Sequence, residues 1–208
     1  MSLITVKDKF SIFFIICVIG LTMLSAVTRA DNIIESEEKS LNLEKENIPS
    51  YLSIAGEKQY LNGAGVRRVM FNNVYVVALY SSLLSDNAKA LIEADIPMTV
   101  RVYITSGLVT ADRFADHTME GFEKSTEGEM SKIRPQIEDM IGSFRNSLQK
   151  DDIWDLSYDP KRKVVTIYQN NKFVVEAQSL EFKQAMIGIW LSKDPVQKSL
   201  KKALLTNR

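Results

Sequence analysis

The sequence predicts an α+β domain in which an antiparallel sheet carries a layer of helices, and three observations point there. Strand-like runs rich in β-branched residues fill Tyr60 to Thr105 and return from Ile153 to Ala177. Between them lies a stretch with helical apolar spacing, and a second helical stretch closes the chain. Strands that segregate from a helical insert pack as an antiparallel sheet with helices laid against it.

The strands follow in order. Tyr60 and Leu61 lead into Gly63 and Gly65, and Val66 to Phe71 continues as an alternating run. Asn72 and Asn73 are the expected turn, after which Val74 to Leu79 is apolar at nearly every position. A run apolar on both faces predicts a central strand covered from each side. Asn87 to Ala94 reads as a short helix, and Pro97 to Thr105 as another strand. After the helical insert, Ile153–Tyr158, Val164–Gln169 and Phe173–Ala177 form a meander, with turns at Asp159-Pro160 and Asn170-Asn171.

Helices are marked by caps and spacing. Thr110 can cap a helix carrying Phe114, Thr118 and Phe122. Ile133, Ile137, Met140, Ile141, Phe144 and Leu148 stripe one face of the next, with Pro135 tolerated in its first turn. Leu180, Ala185, Met186, Ile189 and Trp190 stripe a third, and Asp194-Pro195 is expected to open the last as N-cap and N1.

At the N-terminus, Lys7 and Lys9 precede an apolar run from Phe10 to Val27, and Thr28 and Ala30 supply small residues. These are the parts of a secretory signal, with cleavage expected after Ala30 and Ala26 as the alternative site. A retained membrane anchor is the competing reading, since the run approaches the ~20 residues that span a bilayer. Gly20, Thr22 and Ser25 weaken it as a permanent span. The expected organisation is a signal peptide over 1–30, a flexible acidic leader over 31–49 and one folded domain over 50–208. Export places that domain in the periplasm or outside the cell, with no stable membrane insertion once the signal is cleaved. The leader owes its expected flexibility to Glu35, Glu37, Glu38, Glu44 and Glu46 and to a scarcity of aromatics.

Composition excludes several functions. Cys17 is the sole cysteine and lies inside the apolar run, so disulfides are excluded from the exported body. His117 is the only histidine, which argues against a structural zinc site, and no other metal or cofactor is expected. The chain holds 26 basic and 26 acidic side chains. Residues 1–30 take Lys7, Lys9 and Arg29 from the first set and only Asp8 from the second, leaving a slightly acidic body. Such a balance carries no footprint for nucleic acid.

Few residues suggest chemistry. Gly63 and Gly65 do not open a helix and lack a third glycine, so they are no dinucleotide loop. His117 adjoins Asp116, but consecutive helical residues diverge, and the histidine reads as solvated or helix-packed. Asp151, Asp152 and Asp155 read as turn and strand-edge residues in solvent. Arg67 is different: on a strand it projects with Val69 and Phe71, while Arg68 projects with Val66 and Met70. A guanidinium among apolar neighbours needs an anionic partner, either an acid of the protein or a ligand.

The run from Leu61 to Arg67 (LNGAGVR), that from Asn73 to Tyr80 (NVYVVALY), and Met186 to Val196 (MIGIWLSKDPV) followed by Leu200 resemble the chalcone isomerase-like family, in particular its bacterial exported branch. The resemblance spans about residues 50 to 206. It implies an open-faced β-sandwich, a large antiparallel sheet packed against a layer of helices, with a ligand cleft between them. Plant chalcone isomerases use an arginine in the glycine-rich segment, helped by threonine, tyrosine and asparagine side chains. Arg67 stands at that arginine, and the strand threonine becomes Tyr75. The helical tyrosine and asparagine fall at Phe114 and Gly121, and the C-terminal threonine or serine at Ala185. Flavanone closure needs donors aimed at a developing oxyanion, and those three side chains have none. What remains suits an anion held at the end of an apolar slot, as in the family's fatty-acid-binding members.

The expectation is therefore a non-catalytic binding module for a small amphipathic molecule such as a fatty acid. Arg67 would anchor the head, Tyr75 would add a hydrogen bond, and Phe114, Ala185 and Met186 would line the apolar part. Two other readings stay open: an isomerase or intramolecular lyase using Arg67 as electrophile, and a structural or interaction protein with a vestigial cleft.

Overall fold

The computed structural model describes residues 33–35 and 40–206. The expected signal peptide falls outside them. Among the described residues the strands are β1 (Ile34–Glu35), β2 (Ser40–Leu43), β3 (Glu46–Pro49), β4 (Tyr51–Ile54), β5 (Glu57–Val69), β6 (Asn72–Ser81), β7 (Met98–Tyr103), β8 (Ile153–Asp159), β9 (Val164–Gln169) and β10 (Lys172–Gln178). The helices are α1 (Ala88–Glu93), α2 (Ala111–Ser125), α3 (Arg134–Ser147), α4 (Leu180–Leu191) and α5 (Lys198–Leu204). Eight strands form one antiparallel sheet in the order β1-β4-β5-β6-β7-β8-β9-β10, and β2 and β3 pair separately. This is the α+β, open-faced β-sandwich expected, with a core on each side of the sheet.

Strand β6 shows how alternation divides the two cores. Val77 and Leu79 join Phe122, Phe144, Trp154 and Phe182 on the helix side. Val76, Ala78 and Tyr80 join Ile48, Leu52 and Tyr103 on the other. The strand is covered on both faces, as its continuous apolar run predicts.

The second face has a cover that the composition hides. Residues 40–49, expected as flexible leader, form the β2–β3 hairpin, whose turn places Glu44 and Lys45 at φ 53° and 73°. Leu41 and Leu43 pack on the second core, and Ile48 is fully buried in it. Three well-placed apolar side chains outweigh the surrounding glutamates, because burial against a ready sheet offsets the ordering entropy.

That face also holds a buried ion pair. Arg101 meets Asp155 through Nε–Oδ1 at 2.6 Å and Nη2–Oδ2 at 2.9 Å, and its Nη1 reaches Glu35 at 2.5 Å. Burial opposes the Arg101 charge, but the Asp155 carboxylate beside it raises the guanidinium above even its ordinary range. Asp155 is thus fully buried rather than solvated. It faces Arg101 directly across the β7–β8 register, a neighbour that strand sequence alone does not disclose.

Two other boundaries move. The β5–β6 turn is Met70-Phe71, not Asn72-Asn73, and Met70 takes φ 55° there. Asn73 instead pairs with Arg68, whose Nε donates to its side-chain oxygen at 2.8 Å. Helix α5 begins at Lys198, after an extended Gln197, rather than at Asp194-Pro195. The Val196 amide returns to the Ile189 carbonyl, holding this linker against the end of α4. Elsewhere the caps behave as expected: the Thr110 hydroxyl accepts from the Arg113 amide, and Ile137, Met140, Ile141 and Phe144 are buried along α3.

Candidate functional site

Helices α2 and α4 meet the β5–β6 hairpin around a cavity of about 400 Å³. The glycines of β5 do not face it. A Cβ at Gly63 would lie 2.3 Å from the Ala203 carbonyl oxygen, and one at Gly65 would lie 2.8 Å from Ala203 and Leu200 side chains. The close approach these glycines permit is taken by α5, not by a ligand.

Docking of α5 fixes the residue that precedes it. Gln197 donates from Nε2 to the Val66 carbonyl at 3.1 Å, and its Oε1 accepts from the Arg68 amide at 2.8 Å. The same oxygen accepts from Arg67 Nη1 at 3.2 Å. Arg67 also donates to the Arg68 carbonyl at 2.9 Å, and among the described residues it makes no ion pair. The half-buried guanidinium is thereby oriented by neutral groups, with its charge uncompensated by a carboxylate.

Tyr75 lies directly opposite Arg67 in the β5–β6 register. The register shifts between Arg67 and Arg68, so Val74 is an extra residue on β6, and Val74 and Tyr75 both reach the cavity. Burial pushes the Tyr75 hydroxyl above the usual phenol range, opposed by the Arg67 charge and the Trp190 indole close by. It is therefore a protonated donor at neutral pH. The Trp190 Nε1–H is buried and has no hydrogen-bond partner among the described residues.

The wall continues as a chain of edge-on aromatic contacts. Tyr75 meets Phe114 with ring centroids 5.7 Å apart, Phe114 meets Phe144 at 5.1 Å, and Phe144 meets Trp154 at 4.8 Å. Such T-shaped pairs fix ring orientation as well as burying area. Val102, Met140, Leu156 and Ile189 complete the apolar surface. Arg113 and His117, one turn apart on the exposed edge of α2, stand at the rim. No carboxylate lines the cavity.

Of the residues singled out from sequence, the structure brings Arg67, Tyr75 and Phe114 to the cavity wall. It does not bring Ala185 and Met186 there: both are buried in the helix-side core one turn before Ile189 and Trp190, which do line it. For Ala185 the reason is close packing between α2 and α4 at that level. The Ala185 carbonyl accepts from Ser125 Oγ at 2.6 Å, a Cβ at Gly188 would fall 1.9 Å from that oxygen, and one at Gly121 would fall 2.9 Å from Ile189. Sequence reasoning missed Arg113, Trp154 and Trp190 and read His117 as solvated or helix-packed rather than as part of a site. The i, i+4 pairs Arg113–His117 and Phe114–Thr118 share a side of α2 and were the available signal. Among the described residues no cluster of three or more His, Cys, Asp or Glu side chains could hold a metal ion.

No curated protein sequence matches the chain. Among solved structures it is similar to the crystal structure of a fatty-acid-binding protein from Arabidopsis thaliana, with 18% identity and a TM-score of 0.63. That alignment covers 81% of this chain and 96% of the plant protein. The sequence model described as chalcone isomerase-like matches residues 40–206, from the β2–β3 hairpin to the end of α5. The chain belongs to the chalcone isomerase-like family.

Proposed function

We propose that the protein is a non-catalytic binding protein for an amphipathic anion, best fitted by a fatty acid, and that it works after export to the periplasm or beyond. The observation that carries this reading is the composition of the cavity wall. Aromatic and aliphatic side chains make up most of it, Arg67, Arg113 and His117 bring its only ionisable nitrogens, and no carboxylate lines it, the Glu120 carboxylate 3.5 Å from His117 lying outside the wall. A volume of about 400 Å³ falls within the ~300–1,000 Å³ common for small-molecule sites. In this reading the carboxylate is held by Arg67 and the Tyr75 hydroxyl, and the acyl chain follows the aromatic wall toward Trp154. A charged acceptor facing a guanidinium and a protonated phenol makes the stronger kind of hydrogen bond. The plant protein of similar fold is itself described as fatty-acid binding.

The test is native mass spectrometry of the exported protein, with the released small molecules identified. Co-purified fatty acid, displaced by added oleate one for one, is the expected result. A protein that carries no lipid and takes up no oleate would overturn the reading. Amino-terminal sequencing of the same sample should begin at Asp31; a retained Phe10–Val27 run would make the protein membrane-anchored instead.

A further inference from the structure

From the β5–β6 hairpin we infer a second function for the cavity rim: its tip inserts into an anionic lipid surface and sets the cavity mouth against it. This rests on the fatty-acid reading in one respect, that the ligand would be drawn from that surface. Two-residue hairpin turns are usually Asn-Gly, Asp-Gly or similar polar pairs. Here the pair is Met70-Phe71, with relative exposures of 89% and 102%, and Met70 adopts φ 55° in spite of its side chain. A local rule broken this openly belongs with function rather than folding.

The placement gives the exposed tip a use. Val69 and Met70 also line the cavity, and so does Leu108, itself 60% exposed on the loop before α2. The apolar tip, the loop and the mouth are therefore one continuous rim. Other exposed large apolar side chains, such as Leu83 and Phe173, do not line the cavity. Arg68 on the hairpin and Arg113 on α2 flank the rim, both exposed. Apolar side chains that project between basic ones suit the boundary of a bilayer that carries negative headgroups. A protein partner with an acidic, apolar surface would need more area than two side chains and one loop residue provide.

Flotation of the full protein with vesicles tests the inference. The parent should bind vesicles containing phosphatidylglycerol and bind pure phosphatidylcholine at least tenfold less. Phe71→Ser should weaken binding to the anionic vesicles about tenfold, and Arg68→Gln severalfold. Neither residue lines the cavity, so oleate affinity in vesicle-free buffer should stay within twofold for both. In Phe71→Trp, the added indole should be quenched by lipids brominated on their acyl chains. Equal vesicle binding by parent and Phe71→Ser, or no quenching, overturns docking while leaving the cavity reading intact. Phe71-dependent vesicle binding with no oleate uptake sustains docking and removes the cavity reading. Loss of a dimer in Phe71→Ser, seen by sedimentation without any vesicle effect, would make the tip a contact between copies and overturn the proposal.

Discussion

Arg67 and Tyr75 stand directly opposite each other on β5 and β6 because Val74 is an extra residue in the ladder. A regular two-residue hairpin closing at Val69 and Asn72 would pair Arg67 with Val74 instead. Tyr75 would then point to the second face, toward the β2–β3 hairpin. One bulge thus decides whether a phenol joins the guanidinium, and it occurs three residues from the exposed turn.

Arg67→Ala should lose at least thirtyfold in oleate affinity while remaining folded, and Arg68→Ala should bind as the parent does. Removing a charged donor from a desolvated anion costs about 2–5 kcal/mol. Arg68 bonds to Asn73 at the exposed hairpin edge and does not line the cavity. Isothermal titration together with far-UV circular dichroism separates the outcomes. An unfolded Arg67→Ala would show that its bonds to Gln197 and the Arg68 carbonyl are structural.

A chalcone offered to the protein should cyclise at the spontaneous rate. Phe114 presents only a ring to the cavity, Gly121 is packed against Ile189, and Ala185 is off the cavity altogether. Following the loss of chalcone absorbance is sufficient. Turnover well above the uncatalysed rate, abolished in Arg67→Ala, would restore the isomerase reading.

Gly63→Ala should destabilise the domain by about 1–3 kcal/mol, because the new methyl meets the Ala203 carbonyl at 2.3 Å and α5 must move. As α5 moves, Gln197 loses its place beside Arg67, so oleate affinity should fall with stability. Gly142→Ala on α3 is the control. Nothing lies within 4 Å of its Cβ, and relief of a mid-helix glycine should stabilise by up to about 1 kcal/mol. Urea denaturation of the three proteins makes the comparison.

Lys183 gives a pH signature. Its buried ammonium donates to the carbonyls of Leu91, Ile92 and Ala94 at 2.8, 2.9 and 2.7 Å, closing the C-terminal end of α1. Burial lowers its pKa from 10.5 to about 8. The amine stays mostly charged at pH 7, but between pH 8 and about 10 the unfolded chain holds the proton more tightly than the native one. Native stability should therefore rise with pH in that window, by up to about 3 kcal/mol from this group. Lys183→Met should abolish the rise and leave three carbonyls unpaired, at a cost of about 1–3 kcal/mol near neutral pH. Denaturation midpoints from pH 7 to 10 decide it: a rise that survives in Lys183→Met would show that other groups cause it.

Much of this was legible along the chain, for reasons that are local. A continuous apolar run placed β6, β-branched residues and turn signals placed β7 through β10, and Thr110, Pro135 and the α3 stripe placed the helices of the insert, because these signals act within a few residues. Arg67 stood out as a cation on an apolar strand, and alternation correctly separated it from Arg68. The leader was misjudged because average acidity outweighed Leu41, Leu43 and Ile48, whose burial depends on a sheet face already existing. Asp155 was misjudged because its partner, Arg101, lies on another strand.

By itself, then, the sequence determined β5 through β10, the five helices, their order and the strand face of Arg67, which follow from short-range stereochemistry and hydrophobic pattern, and its motifs carried the family resemblance. Only the tertiary structure decided the cavity. Side chains remote in sequence must converge on it, and close packing chooses among them: α2 packs against Ala185 through Ser125, while Ile189 and Trp190 one turn later line the cavity. The bulge that turns Tyr75 inward and the glycines that let α5 hold Gln197 beside Arg67 belong to the same class of fact. Each depends on atoms from two elements meeting within about one van der Waals contact, a distance that no pattern along a single chain encodes.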